Sequence, residues 1–344
     1  MRILHIITAL GNGGAENTLY KICKYDNANE HIVISLKGPG KYYRLLKKLG
    51  INVYFLNIKF YSFYKFFFLL RLIYFLKPNI VQTWLIHADF IGGIAAMLVR
   101  ILSYLSFFIP RYIVVVSKKS KKIYKTEGYD KKKFIYIPNG YDFSILKPNK
   151  FERKKFRDQI KIKKKTLLIG NVARYDPKKD HFNLLKALSL LKFKKNNFFC
   201  ILVGPGVNKN NIELNSLIKN LNLSNKVKLL DQKNNISQIM NGIDIYVQSS
   251  SYGEGFPNVV AESMSCGTPC IVTDVGDAPY IVDKIGWVVP PNDETKLAKS
   301  IESAFVQFGS KKWNKRSEDA RKRIIQKFNI KKMISSYNRL WIRV

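Results

Sequence analysis

Short apolar runs alternate with amphipathic stretches along the chain, a pattern typical of parallel β-sheets covered by helices. In the first half, Arg2–Thr8 predicts a strand that leads through a glycine-rich turn into a helix beginning at Ala15. Pro78 predicts the end of a helix over residues 63–76. The other predicted elements of this half are a helix at residues 41–49 and strands at residues 31–36, 52–56, 79–82, 112–116 and 134–137.

The same alternation continues in the second half and is more regular there. A charged stretch from Pro148 to Lys165 predicts a linker and an entry helix. Because 344 residues are long for one domain, we predict an α/β protein of two Rossmann-like domains that face each other across a cleft. The predicted elements of the second half are strands at residues 167–172, 198–203, 226–229, 243–248 and 269–273, with helices between them that include Pro257–Cys266.

The chain has a formal net charge of +35, from 59 Lys and Arg against 24 Asp and Glu, and 47% of its residues are apolar. That apolar fraction excludes a disordered polymer, and the charge favours anionic partners such as acidic lipid, nucleic acid or phosphorylated substrates. Another origin of the charge stays open, because Lys, Asn and Ile are abundant together, as in products of a genome rich in A and T. Four scattered cysteines complete no zinc set, and with no secretory signal visible we expect a cytoplasmic protein.

Two apolar stretches of the first half are ambiguous. Ala88–Ile109 is long enough to span a bilayer, but its Asp89, its Arg100 and its paired glycines favour a buried helix joined to a further element. Lys59–Lys77 mixes aromatic and basic residues, as an interfacial helix on an anionic membrane does. A core-facing helix of the first sheet fits the same residues equally well.

The segment richest in candidate chemistry is Ser249–Pro279, where Glu254 and Glu262 stand eight residues apart. Glu254 lies in a loop between Gly253 and Gly255, which let the backbone approach a ligand closely. Glu262 lies inside the helix that follows. A carboxylate in the loop can bind sugar hydroxyls, and one a turn or two into the helix can reach a ribose diol.

The start of that helix predicts an anion site made by the backbone. Phe256 closes the loop, and Pro257 suits the first helical turn. We therefore expect the N–H groups of Asn258, Val259 and Val260 to be free and to point at a ligand above the strand.

Residues 252–282 (YGEGFPNVVAESMSCGTPCIVTDVGDAPYIV), with GWVVPPND after them, resemble the donor-site signature of the family-4 glycosyltransferases, which have the GT-B fold. Gly170–His181 (GNVARYDPKKDH) resembles the diphosphate-binding segment of that family, with Arg174 and Lys179 as the matching cations. Two such charges after a strand can stabilise the charge that develops on a pyrophosphate leaving group.

The resemblance implies a retaining hexosyl- or N-acetylhexosaminyltransferase that uses a nucleotide-diphosphate sugar as co-substrate. It implies a glycan or polyprenyl-linked acceptor in cell-surface polysaccharide synthesis. No Asp-x-Asp motif lies in a loop suited to a metal ion, so we expect no obligatory metal and no other cofactor. The implied catalytic residues are Glu254, His87, Arg174 and Lys179, and the implied donor-binding residues are Gly14, Arg174, Lys179, Glu254, Gly255, Phe256, Pro257, Asn258, Val259 and Glu262.

Three further segments resemble parts of the family. Leu10–Glu16 (LGNGGAE) resembles its N-terminal glycine-rich loop and contains Gly14. Gln82–Gly93 (QTWLIHADFIGG) resembles the segment that places His87 near the transferred sugar, although a core histidine is the other interpretation. Phe328–Trp341 resembles a terminal helix that returns to the first domain. We therefore assign residues 1–148 and 328–344 to an acceptor-side domain and residues 149–327 to a nucleotide-sugar domain.

The chain departs from the family between Gly92-Gly93 and Arg111–Val116. Where the family has another strand, an acceptor-side loop and a helix, this chain runs almost directly from Ala96 into ILSYLSFFIPRYIVVVS. A strand–loop–helix unit of about 30 residues is missing in that comparison, so the first sheet should lack one strand. We expect nucleotide binding to survive this loss better than turnover does.

Two other functions stay open at this point. A nucleotide-sugar epimerase with a GT-B-like fold would need additional acid–base residues in the cleft. A non-enzymatic polyanion-binding protein would show basic residues interleaved with exposed aromatics on one face, and the glutamate-containing loop would have no purpose in it. We expect instead a transferase bound peripherally to the anionic inner face of the cell membrane, without nucleic acid as a partner.

Overall fold

A computed structural model describes residues 1–57, 69, 72–73, 75–84, 110–163, 166–191 and 198–344. The chain separates into two compact units, of which the first comprises Met1–Val114, Tyr124–Gly140 and Ile330–Val344. The second comprises Val115–Ile123 and Tyr141–Asn329. By their contacts, residues 115–123, 141–148 and 328–329 belong to the second unit, whereas the sequence assigns them to the acceptor-side domain.

The helices and strands follow the alternation expected from the sequence. The elements up to residue 136 are β1 (Arg2–Ile7), α1 (Gly14–Tyr25), β2 (Glu30–Ser35), α2 (Lys41–Lys48), β3 (Asn52–Phe55), β4 (Ile80–Trp84), β5 (Ile113–Val115), α3 (Lys118–Thr126) and β6 (Phe134–Tyr136). Those after it are α4 (Lys150–Gln159), β7 (Leu167–Val172), α5 (His181–Ser189), β8 (Phe198–Val203), α6 (Ile212–Asn220), β9 (Val227–Leu229), α7 (Ile236–Gly242), β10 (Ile245–Gln248), α8 (Asn258–Ser265), β11 (Cys270–Thr273), α9 (Ala278–Val282), β12 (Trp287–Val289), α10 (Glu294–Gln307), α11 (Lys311–Lys327) and α12 (Ile330–Ile342). Short 3₁₀ helices lie at Lys131–Lys133, Pro177–Lys179 and Asp283–Ile285.

The first unit is built on a parallel sheet with the strand order β3-β2-β1-β4. Its central strand β1 pairs with both neighbours, so that Ile3 lies opposite His31 on β2 and Ile80 on β4. Residues of β1, α1 and α12 share one buried core. Helix α12 buries one face, because its apolar side chains recur at helical spacing. The buried side chains are Ile330, Met333, Ile334, Tyr337, Leu340 and Trp341.

The second unit is built on a parallel sheet of six strands in the order β9-β8-β7-β10-β11-β12. Side chains of β7 alternate between the two faces of this sheet. Leu167 and Ile169 pack with helices α5, α6 and α10, whereas Leu168 and Val172 pack with α4, α7, α8 and α11. Because both faces are covered, the central strands are buried along their length and largely apolar, which makes them easy to predict from the sequence.

The predicted α/β class with two Rossmann-like domains is confirmed. Strands β7 and β8 have the predicted bounds. Strand β12 was not predicted, and helix α8 begins one residue later than expected, with Pro257 at its N-cap. Residues 85–109 lie outside the described residues, and with them most of the ambiguous apolar stretch and the place where the strand–loop–helix unit is expected to be missing. Most of residues 58–74, which include much of the aromatic and basic stretch, also lie outside them.

Within the described part of the chain, none of the helices combines the length and the apolar character that crossing a bilayer requires.

Candidate functional site

In the second sheet the strand order reverses between β7 and β10, which lie side by side and run parallel. Connections that leave two such strands diverge to opposite faces and open a crevice at their carboxyl ends, where ligands of open α/β sheets bind. Here the connection after β7 holds Arg174 and Lys179, and the connection after β10 holds Glu254. Three of the predicted site residues therefore lie at the carboxyl ends of the two strands between which the strand order reverses.

The turn after β7 is organised by Asp176. Its Oδ1 accepts a hydrogen bond from the Lys178 N–H at 3.0 Å, which caps the 3₁₀ helix ending at Lys179. Its Oδ2 accepts from Arg174 Nε at 3.0 Å. The Lys178 N–H and the Arg174 guanidinium lower the pKa of Asp176, so the carboxylate stays charged. Arg174 itself is 61% exposed and is held at the surface beside this turn.

Lys179 and Glu254 form an ion pair that joins the two connections. Lys179 Nζ lies 2.5 Å from Glu254 Oε1, with side-chain exposures of 26% and 11%. The same Glu254 oxygen accepts a hydrogen bond from Ser250 Oγ at 2.6 Å. Charges so largely withdrawn from water interact more strongly than a surface pair does. The structure thus brings together the cation and the loop carboxylate that the sequence singled out.

Serines after β10 hold the Lys179 backbone in place. Ser249 Oγ donates to the Lys179 carbonyl at 2.9 Å, and the Ser251 N–H donates to the Lys178 carbonyl at 2.9 Å. Thr273, at the end of β11, donates through Oγ1 to the Ser250 carbonyl at 2.6 Å. Sequence reasoning missed these supports, although the Ser-Ser-Ser run directly after a buried strand is the signal that could have found them.

The N-terminus of α8 differs in part from the prediction. The Val260 N–H donates to the Pro257 carbonyl at 3.2 Å, so the expectation that it is free is wrong. The reason is that the first turn closes with a 3₁₀-type bond instead of leaving this donor for a ligand. Asn258 Oδ1 accepts from the Tyr141 hydroxyl at 2.6 Å. Phe256 is buried and packs edge-on against Phe328 with the ring centroids 5.3 Å apart, so its side chain belongs to the core.

Glu262 lies half-buried on α8, one turn after the partly buried Val259. Both Glu262 and Glu254 influence Tyr246, a buried side chain on β10. Burial raises the pKa of Tyr246 well above its ordinary value, and the charges of Glu254 and Glu262 both raise it further. The two carboxylates that the sequence paired therefore act on one phenol at β10.

The loop between β11 and α9 supports the Glu254 loop and was not predicted. Gly276 has φ +57°, and a Cβ there would lie 2.5 Å from the Glu254 carbonyl oxygen and 2.6 Å from that of Gly255. The two backbones are therefore in direct contact, and only glycine fits both the space and the left-handed conformation.

The remaining predicted site residues lie elsewhere. Gly14 is the first residue of α1 in the first unit, after the N-cap Gly13, and its carbonyl accepts a hydrogen bond from Thr18 Oγ1 at 2.9 Å. His87 lies outside the described residues.

A second polar cluster lies within the first unit. Ligand-type atoms of His5, Cys23 and His31 lie within 4.8 Å of one another, and all three residues are buried. Trp84 Nε1 is a donor only, and it lies 3.1 Å from His5 Nδ1, so the proton of His5 is on Nε2. That nitrogen lies 3.0 Å from His31 Nδ1, which accepts from it. The hydrogen bonds occupy the lone pairs that a metal ion would need, and burial raises the pKa of Cys23 to about 12, which opposes thiolate ligation.

The family described as Glycosyl transferases group 1 matches residues 152–323, which is half of the chain and contains the ion pair of Lys179 and Glu254. The chain belongs to this family.

Two relatives show how the similarity is distributed. The chain is 28% identical over 240 residues, 67% of its length, to the UDP-Gal:alpha-D-GlcNAc-diphosphoundecaprenol alpha-1,3-galactosyltransferase of Escherichia coli. It is 30% identical over 176 residues, 50% of its length, to the N-acetylgalactosamine-N,N'-diacetylbacillosaminyl-diphospho-undecaprenol 4-alpha-N-acetylgalactosaminyltransferase of Campylobacter jejuni. The chain spans only 59% and 46% of the length of these two relatives.

Among solved structures, Anabaena HepE in complex with UDP and glucose matches over 100% of both chains with a TM-score of 0.86 and 20% identity. At that identity the likeness shows the fold alone, which is the GT-B fold.

Proposed function

We propose that this chain is a retaining glycosyltransferase of family 4 that moves a sugar from a nucleotide-diphosphate sugar to a glycan or polyprenyl-linked acceptor. The observation that carries the proposal is the Lys179–Glu254 pair at the reversal of the second sheet, in a chain of the group 1 family. A partly buried cation beside a carboxylate is suited to a ligand that is anionic at one end and rich in hydroxyls at the other.

The roles follow from the chemistry of each group. Lys179 and Arg174 bind the diphosphate, because their positive charges stabilise the negative charge that grows on it as the glycosidic bond breaks. Glu254 accepts hydrogen bonds from hydroxyls of the transferred sugar, and Glu262 accepts them from the ribose. When the donor binds, Lys179 exchanges its contact with Glu254 Oε1 for the diphosphate oxygens, which frees that carboxylate oxygen for the sugar. His87 orients the same sugar.

We propose that the reaction needs no divalent cation, since Lys179 and Arg174 supply positive charge where a metal ion acts in other transferases. Turnover should be unchanged when the protein is dialysed against EDTA. A loss that Mg²⁺ or Mn²⁺ restores would contradict this part of the proposal.

The acceptor side of the proposal is supported by relatives and by charge. Both relatives are named for undecaprenyl-diphosphate-linked acceptors. The net charge of +35 favours peripheral binding to the anionic inner face of a membrane. Co-sedimentation should therefore be strong with phosphatidylglycerol vesicles, weak with phosphatidylcholine vesicles, and reduced by salt. Equal binding to both would exclude the electrostatic mechanism.

The experiment that tests the activity is a panel of UDP-, GDP- and ADP-sugars, with nucleotide release measured in the presence and absence of a polyprenyl-diphosphate-linked sugar. A transferase releases nucleotide in step with product on the lipid, and NMR of the product shows whether the donor's anomeric configuration is kept. Epimerised sugar formed without acceptor would indicate an epimerase instead. No donor binding, with tight binding of polyphosphate or nucleic acid, would indicate a polyanion-binding protein.

The departure near residues 92–111 gives a separate expectation. Because it affects the acceptor side, donor binding should be in the range of other transferases, while turnover should be low. Calorimetric titration of the nucleotide sugar beside the turnover assay separates the two. Equal loss of both would contradict the acceptor-side interpretation.

A further inference from the structure

Asp277 is a buried carboxylate to which the proposed function gives no role, and it is only 1% exposed. Its Oδ1 accepts hydrogen bonds from Ser117 Oγ at 2.9 Å and from the Lys119 N–H at 3.0 Å. Its Oδ2 accepts from the Lys118 N–H at 2.7 Å. The side chain therefore caps the first turn of α3 from a position 158 to 160 residues away in sequence.

This cap fills the place where α3 would otherwise attract an anion. The free N–H groups and the dipole at a helix N-terminus favour negative charge. Since Asp277 supplies that charge from within the protein, the first turn of α3 is not offered to a phosphate. The carboxylate instead fastens α3 to the loop that carries Asp277.

That loop in turn holds the backbone of the Glu254 loop. The Asp277 N–H donates to the Gly255 carbonyl at 2.8 Å. Beside it, Gly276 lies so close that an added Cβ would meet the Glu254 carbonyl oxygen at 2.5 Å. A movement of Asp277 would therefore be transmitted to the backbone at Glu254 and Gly255.

The first turn of α3 also lies beside Gly255. A Cβ built on Gly255 would lie 3.6 Å from Ser120 Oγ and 3.9 Å from Ser117 Cβ, which is ordinary van der Waals distance. Ser117 is thus both a hydrogen-bond donor to Asp277 and a neighbour of Gly255. Three segments, at residues 117–120, 254–255 and 276–277, therefore lie side by side, and the Asp277 side chain links the first to the third.

We propose that Asp277 is a positioning residue for donor binding, which acts by holding the first turn of α3 and its own loop around the Glu254–Gly255 peptide. This inference rests on the proposed function, because it takes Glu254 to bind the donor sugar. Asp277 touches no donor atom in this account. Its effect is on where the Glu254 carboxylate lies before the donor arrives, and displacements of about 1 Å at such a group cost up to about 100-fold in rate.

The test compares Asp277→Asn with Asp274→Asn. Asparagine has the same shape but replaces one acceptor oxygen by an NH₂ group, which then faces an N–H of α3. Asp274 lies in the same loop and pairs with Lys119 Nζ at 2.6 Å, but it is 56% exposed, so its variant removes an equal charge without touching the buried cap. UDP-glucose, GDP-mannose and ADP-glucose are titrated in turn, and hydrogen exchange is followed at the amides of Lys118 and Lys119.

For Asp277→Asn we expect faster exchange at both amides and a donor Kd and KM raised about 10-fold, with kcat lowered less. Asp274→Asn should match the wild type within twofold. If exchange accelerates while the donor Kd stays within twofold, Asp277 is a helix cap only and the inference is overturned. If the variant does not fold, Ser117→Ala decides, since it removes the Ser117 bond to Asp277 together with the bond that the same hydroxyl accepts from the Ser120 N–H at 3.1 Å. A Kd raised about threefold supports the inference and an unchanged Kd overturns it. A wild-type chain that binds none of the three nucleotide sugars would overturn the proposed function, and the inference with it.

Discussion

The two units place their polar side chains at different points of similar sheets. In the second unit, Lys179 and Glu254 lie on connections beyond the carboxyl ends of β7 and β10 and keep some contact with water. In the first unit, His5 and His31 lie within β1 and β2, are 0% and 5% exposed, and pair with each other and with the buried Trp84 and Asp26. Both sets are polar and compact, but only the pair of the second unit can exchange an internal hydrogen-bond partner for a ligand.

The difference shows how position along a strand decides the role of a polar side chain. A group beyond the strand end can give up an internal partner, because a ligand or water replaces it. A group within the sheet must have its hydrogen bonds satisfied inside the protein, since an unpaired buried donor or acceptor costs about 1 to 3 kcal/mol. The His5–His31 pair is accordingly neutral and structural, whereas the Lys179–Glu254 pair is charged and available.

The largest effect should come from breaking the charged pair of the second unit. Lys179→Ala and Glu254→Gln should each lower kcat/KM about 100- to 1000-fold, because each removes a group that acts on charge or hydroxyls of the reacting donor. Steady-state nucleotide release with acceptor present measures this. Lys186→Ala removes the same charge from an exposed position on α5 and serves as the control. A similar loss of kcat/KM in Lys186→Ala would show that the net charge of the protein, and not the Lys179–Glu254 pair, determines the activity.

A smaller effect should follow when the contact beneath the Glu254 loop is crowded. Gly276→Ala puts a Cβ within 2.6 Å of two carbonyl oxygens at φ +57°, which should lower the free energy of unfolding by about 2 to 4 kcal/mol. Urea unfolding measures it. Gly309→Ala is the matched control, because Gly309 has φ +78° and no heavy atom within 4 Å of its added Cβ. An equal loss of unfolding free energy in the two variants would mean that the positive φ alone causes the effect, and that the contact with the Glu254 loop does not.

Removing a support of Glu254 should cost activity and leave the fold intact. Ser250→Ala deletes the 2.6 Å hydrogen bond to Glu254 Oε1 and should raise the donor KM by roughly 10-fold, as expected for one hydrogen bond to a charged group. Ser189→Ala, whose hydroxyl bonds the Lys186 carbonyl on the surface of α5, is the comparison. An unchanged KM for Ser250→Ala would mean that Lys179 alone positions the carboxylate.

The smallest effect concerns the buried histidines of the first unit. Burial lowers the pKa of His5, helped by His31, and burial also lowers the pKa of His31, although Asp26 partly opposes this. In the unfolded chain both return to about 6.5. As the pH falls below that value, the unfolded state binds more protons than the folded state, so the free energy of unfolding falls by up to about 1.4 kcal/mol per pH unit for each histidine.

Urea unfolding of the wild type and of His31→Gln between pH 7 and pH 5 measures that slope. The variant should show a shallower dependence than the wild type. In the second unit, burial and the charge of Lys179 lower the pKa of His181 to about 4. His181 therefore also lowers the free energy of unfolding as the pH falls, and it does so equally in both proteins. Equal slopes in the two proteins would mean that His31 does not contribute.

The sequence predicted well what local pattern controls. The largely apolar run at residues 167–172 predicts strand β7 with its observed bounds, because a strand buried on both faces is mostly apolar. Strand β12 has only three residues, too few for a periodic signal. The charged residues near Glu254 were identified, but the Val260 N–H was wrongly expected to be free, since the closing bond of a helical first turn has no signature in side chains.

Contacts between distant parts of the chain were beyond such reasoning. The Asp277 carboxylate binds residues about 160 positions earlier, and Ser249 and Ser251 support groups on another connection only because β7 and β10 pair. Residues 115–123, which Asp277 binds in part, belong to the second unit. Pairing of strands creates these neighbours, and no local motif announces them.

The most direct test of the account separates the two ends of the donor. For the donor found in the panel, calorimetric titration with the nucleoside diphosphate and with its nucleotide sugar should give weaker binding of both to Lys179→Ala, by about 10-fold or more. Glu254→Gln should bind the nucleoside diphosphate as the wild type does and lose affinity only for the nucleotide sugar. If both variants lose the two ligands equally, or neither loses any, Lys179 and Glu254 do not form the donor site.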